Sequence, residues 1–275
     1  MQILDLTNQY LSEFLNNRNR AAYESSFPEL FDHYYRFWTK REYDLAEIDA
    51  AAISTRKSWI DKHLKYLTGV LDERNLDHRK FRIVYFIGVG TTNGHAFRMK
   101  DEFYVWLPLE TYTSEKLVGV FVTHELAHAL HYQSSPSFYF DSPGDKIRLS
   151  RLLITEGLAT YLTRKLLGIS DLEALWADYL NVTEAQAWWN ECESREPQLF
   201  ARIADTYFKS DSMQELFHAN DRNDVFKFRA GYYAGLKLVG QYVKIHGLTM
   251  AELLGLTRDL FERGVLSLIQ EYDNG

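Results

Sequence analysis

The chain is sparing in the features that would mark it for a special class. A single cysteine, Cys192, excludes an internal disulfide framework and fits a reducing compartment, taken here as the cytoplasm. With five prolines, no internal repeat and no low-complexity tract, nothing marks a linker at which to divide it. The longest apolar stretch, around residues 117–122, falls far short of the ~20 residues needed to cross a bilayer. Basic charge is not in excess: 31 Lys and Arg stand against 38 Asp and Glu, for a formal charge of -7. That balance argues against nucleic acid or an anionic membrane as a partner, since both select basic surfaces. Residues 1–10 hold Asp5, no lysine or arginine and no continuous apolar core, so neither a signal nor a transit peptide is expected there.

What the chain does have is length and apolar content. At 275 residues and 46% hydrophobic, it can bury roughly three quarters of its unfolded surface. One domain over 1–275 is expected, with a helical N-terminal region (1–76) ahead of a core (77–275). Apolar residues recur at helical spacing up to about residue 75, as in Leu4, Leu11 and Leu15, then Ile60, Leu64, Leu67 and Leu71. Two runs rich in Phe, Val, Ile and Tyr, 81–89 and 102–109, read as adjacent strands separated by Gly90-Thr91-Thr92-Asn93-Gly94. Thr113 or Ser114 offers a cap for a helix reaching about Tyr132. A second helix is predicted over 146–167, closed by Gly168, and a later one over 225–244. The fold class is therefore α+β, predominantly helical, with a small sheet just before the motif helix.

That motif is His124-Glu125-Leu126-Ala127-His128. Residues four apart on a helix lie about 40° apart around the axis, so both imidazoles can meet one ion. Glu125, about 100° round, suits a carboxylate that works on a water beside the metal and not as a ligand. From composition alone, the number of chance matches is on the order of 0.02. Extension to a metzincin site fails, because position 131 is histidine where glycine is required and position 134 is serine. His131 faces nearly the same way as His124 but lies almost two turns along, so it is assigned to the cleft or to packing. Glu156 is the stronger third ligand: its carboxylate emerges from the otherwise apolar run Leu153-Ile154-Thr155-Glu156-Gly157-Leu158-Ala159, and a buried carboxylate needs a cationic partner. Gly157 and Ala159 are small enough for close approach to the motif helix. His131, Asp141 and Asp145 are the fallback ligands, and Thr160 is a candidate hydrogen-bond partner for a ligand histidine.

His124-Glu125-x-x-His128 followed by Glu156-Gly157-Leu158-Ala159 resembles the gluzincin group of zinc metallopeptidases. A closer likeness is to bacterial zinc-dependent proteases grouped as a domain of unknown function. These share a glycine-bearing strand-turn, here Gly88-Val89-Gly90 through Asn93-Gly94, and a late helix carrying Gly231-Tyr232-Tyr233-Ala234-Gly235. The resemblance implies a zincin-like catalytic core and one Zn2+ ion held by His124, His128 and Glu156. It also implies Tyr232 as the oxyanion donor, with Tyr233 as the fallback. The pattern departs from thermolysin-like gluzincins at Thr160, where those carry an aspartate. Gly231 and Gly235, four apart, allow their helix to pack close to a neighbour.

Two imidazoles and a carboxylate leave an open metal position, the mark of a catalytic site. The expected reaction is hydrolysis of a peptide or protein substrate, with Glu125 taking a proton from water and returning it to the leaving amine. The strand over 102–109 is the candidate edge for binding extended substrate backbone. A zinc hydrolase of a non-peptide amide or ester, or a non-catalytic metal-bound regulatory module, are the competing readings. His95, following a turn, is a cleft candidate for which a structural role is preferred, and His33, His63, His78, His218 and His246 are assigned no chemistry.

Overall fold

The computed structural model describes residues 1–210 and 214–273. It is mostly helical with one small mixed sheet, as the apolar periodicities require. Its contacts divide the chain into two units, Met1–Ala129 and Leu130–Gly275. No helix among the described residues is long and apolar enough to cross a membrane.

In the first unit, four strands form the sheet: β1 (Gln2–Asp5), β2 (Phe81–Phe86), β3 (His95–Met99) and β4 (Glu102–Pro108), in the order β1-β2-β4-β3. β1, β2 and β4 run parallel, while β3 is antiparallel to β4. β2 and β4 are buried except at Arg82 and Glu102, which is why both read as near-continuous apolar runs. Three expectations need correction. Residues 2–5 form a strand where helical spacing from Leu4 was predicted, because they pair with Arg82, Ile83, Val84 and Tyr85 far along the chain. His95–Met99 is a strand that the turn-rich segment before it concealed. β4 is consequently flanked on both sides, so residues 102–109 offer no edge.

Two helices of this unit bear on the site. α1 spans Pro28–Phe37. α2 spans Ala50–Glu73, is capped by Asp49, and buries Ile53, Ile60, Leu64, Leu67 and Leu71 at the predicted spacing. Ser114 caps the next helical segment by accepting from the Leu117 N–H, as its sequence position suggested. That segment passes through a π-helical stretch, Val118–Val122, into α3 (Thr123–Ser134), which crosses the division between the units.

The second unit is helical. α4 spans Leu149–Leu167 and ends at Gly168 in the left-handed region, at φ 66°. It starts three residues later than predicted, because Pro143–Lys146 forms its own turn of helix capped by Ser142. α5 (Val182–Ser194), α6 (Glu196–Thr206), α7 (Ala230–His246) and α8 (Arg258–Asp273) are the other long helices of the unit. Gly157 of α4 meets Gly235 of α7 backbone to backbone: a Cβ on Gly157 would lie 2.3 Å from the Gly235 carbonyl. The small residue beside Glu156 thus serves the late helix, where approach to the motif helix was expected. The space beside Gly231 is filled by the Phe217 ring, so Gly231 and Gly235 of α7 both allow close neighbours.

Candidate metal centre

His124 and His128 lie one turn apart on α3, both buried, with their Nε2 atoms 3.2 Å apart. Ligand atoms from His124, His128 and Glu156 all fall within 4.8 Å of one another. Two nitrogens at about 2.0–2.1 Å from a tetrahedral zinc would stand about 3.3 Å apart, so the imidazole pair fits that ion in spacing as well as in chemistry. Two imidazoles and a carboxylate are also a donor set that suits a zinc dication.

The residues before His124 fix its place. The π-helical stretch directly upstream offsets the helix register, an irregularity often found at functional sites. Thr123 donates its hydroxyl to the Gly119 carbonyl and stands 2.8 Å from His63 Nε2 on α2. Burial pushes the His63 imidazole down to about 4, so it stays neutral at neutral pH.

Glu125 is buried at 7% exposure, and its side chain lies against Gly94. A Cβ at Gly94 would approach Glu125 Cγ to 2.6 Å and Cδ to 3.2 Å, so a residue with any side chain there would evict the carboxylate. Gly94 sits at φ 154° in the connection between β2 and β3. Glu110 braces that connection. Its Oε2 accepts from the Gly88 N–H and its Oε1 from the Gly90 N–H, both at 3.0 Å. Burial of this carboxyl raises it to about 7, against the opposing pull of those amides.

Glu156 is half-buried on α4. The end of α3 is held to α4 by Arg151, which is 2% exposed, donates to Tyr132 Oη at 2.9 Å and to the Phe138 carbonyl at 2.7 Å, and lies over the Phe140 ring. Charged hydrogen bonds of this kind are worth roughly 1.5–3 kcal/mol each. Thr160 donates its hydroxyl to the Glu156 carbonyl within its own helix at 2.8 Å, which corrects the expectation that this proton serves a ligand histidine. His131 is fully buried, 4.4 Å from the Phe138 ring and stacked on Tyr132, and is not among the three converging residues. Asp145 is committed to Arg258 at 2.9 Å. His95 packs on His33 and Trp38 in an aromatic cluster.

Tyr232 lies on the first turn of α7, half-buried, with its ring against Phe217 and 4.3 Å from the Arg229 guanidinium. Three residues on, Gly235 touches Gly157, the neighbour of Glu156. Tyr233 is fully buried and donates to Glu196 Oε1 at 2.9 Å, and burial with that carboxylate raises its hydroxyl far above the ordinary range.

Sequence reasoning passed over Gly94, His63, Glu110 and Arg151. Glu110, an acid directly after an apolar strand, and Arg151, a cation at the start of an apolar helix, carried the same signal that identified Glu156: a charge where a buried face was due.

The profile of the family described as predicted Zn-dependent protease (DUF2268) matches residues 87–261. The chain belongs to this family. The match begins with the segment that carries Gly94 and covers the motif helix, Glu156 and the late glycine-tyrosine helix. No curated protein and no solved structure shows a significant match to the chain.

Proposed function

We propose that the protein is a gluzincin-type zinc peptidase, with a single ion held by His124, His128 and Glu156. The convergence of those three side chains carries the reading, and membership of a family described as zinc-dependent proteases supports it. Zinc, when bound, supplies Lewis acidity toward a water and a substrate carbonyl. Glu125 follows His124 on the same helix and is confined by Gly94. From there its carboxylate takes the proton from the attacking water and returns it to the departing amine nitrogen. Tyr232 is assigned to hydrogen-bond the oxygen that gains charge, a role for which Tyr233 is unsuited because its hydroxyl serves Glu196. With β4 enclosed, the outer strand β3 is the proposed seat for an extended substrate, which would add one strand to the sheet.

Hydrolysis of a fluorogenic peptide library by zinc-loaded protein, with and without chelator, tests the proposal. Turnover abolished by chelator and by Glu125→Gln supports it. Equal inactivity of wild type and Glu125→Gln, both with zinc bound, refutes it.

A further inference from the structure

We infer that Glu110 is a positioning residue for Glu125, acting through the backbone of residues 88–94. The inference rests on the reading of Glu125 as general base and adds to it a device that holds the base in place.

After Phe86 the chain travels to His95 outside the strand ladder; the Gly88 carbonyl accepts from the Ala46 N–H at 2.8 Å, and side chains meet several of the other backbone groups. Glu110 meets two of them with one carboxylate, clamping the N–H groups of Gly88 and Gly90 at 3.0 Å each. Ionised, above about pH 7, the Glu110 carboxylate suits this because both oxygens accept; an amide would turn an N–H2 toward one of the two donors. Tyr34 Oη accepts from the Val89 N–H at 3.0 Å, and that hydroxyl occupies the space a Cβ on Gly88 would need. Tyr112 Oη donates to the Asn93 carbonyl at the far end of the segment. The next residue is Gly94, whose backbone forms the wall against Glu125 Cγ and Cδ. The clearance there is so small that a displacement of a few tenths of an ångström in 88–94 alters where the Glu125 carboxylate can sit. The two imidazoles stand on α3 with their Nε2 atoms 3.2 Å apart, and Thr123 at the start of that helix meets His63 of α2.

The test uses zinc-loaded wild type, Glu110→Gln, Glu125→Gln and the double variant. Expected for Glu110→Gln is unchanged zinc stoichiometry, KM within about twofold, and a kcat lower by about 100-fold, the effect of misplacing a catalytic group by about 1 Å. In the Glu125→Gln background the same substitution should change residual turnover no further, since the group it positions is gone. Tyr112→Phe, which releases the other end of the segment, should lower kcat in the same way and serves if Glu110→Gln fails to fold. An unchanged kcat, a loss that tracks zinc occupancy, or a full additional loss in the Glu125→Gln background overturns the inference. Should the wild type show no hydrolysis, the peptidase reading fails. Crystal structures of wild type and Glu110→Gln then decide the inference: a shifted 88–94 backbone with a displaced Glu125 side chain supports it, and an unmoved Glu125 overturns it.

Discussion

Gly157→Ala isolates the contact on which the placement of Glu156 depends. The added Cβ would lie 2.3 Å from the Gly235 carbonyl carbon and oxygen, and ordinary contact begins near 3.4 Å, so α4 and α7 must part by about 1 Å. The obstacle is backbone on both sides, leaving no side chain to swing away. Overpacking of this kind costs about 1–3 kcal/mol, and rigid backbone places it at the upper end. Alanine returns roughly 1 kcal/mol through its better helix propensity. The net loss is therefore about 2 kcal/mol, read as a lower urea midpoint with an unchanged slope. Gly240→Ala on α7 is the control, because nothing stands within 4 Å of its added Cβ. It should stabilise by roughly 0.5–1 kcal/mol. Gly157→Ala should also weaken zinc binding, since Glu156 moves with its neighbour. Equal stability of the two alanine variants would refute the claim that this glycine pair sets the helix spacing.

Other outcomes follow from the same contacts. His63 is held at about 4, below its ordinary 6.5, so its contribution is complete above pH 6.5 and is lost as pH falls toward 4. Wild type should lose at most roughly 3 kcal/mol more than His63→Asn over that interval, less to the extent that the ring reaches solvent, as measured by urea unfolding at each pH. Tyr232→Phe should lower kcat by roughly 100-fold or more with zinc retained, as loss of one oxyanion donor does; an undiminished rate returns the residue to packing. Gly94→Ala should reduce turnover while leaving zinc content at the wild-type level, and a loss of zinc would show that the connection supports the ligands instead.

The parts of the site that were legible in the sequence are those whose logic is local. His124 and His128 declare themselves because a four-residue spacing on a helix is a geometric statement, and Ser114 and Gly168 because caps are short-range chemistry. Glu156 was visible as a charge in an apolar helix. What stayed hidden depends on distant partners. Ile3 and Leu4 have no reason to be extended until β2 lies beside them. β3 is five residues long and follows a glycine-rich turn, so its pairing with β4 decides its form. That pairing removes residues 102–109 from the edge. Gly157 was recognised as a site of close approach, yet the partner it approaches lies 78 positions further on at Gly235, and no local pattern encodes that choice.

In the proposed reading Glu156 binds the metal and Glu125 handles protons. The most direct measurement is zinc content per chain, after dialysis against zinc-free buffer, for wild type, Glu156→Ala and Glu125→Gln. One equivalent is expected in wild type and in Glu125→Gln, with loss in Glu156→Ala. Full zinc retention by Glu156→Ala, or loss of zinc in Glu125→Gln, would contradict it.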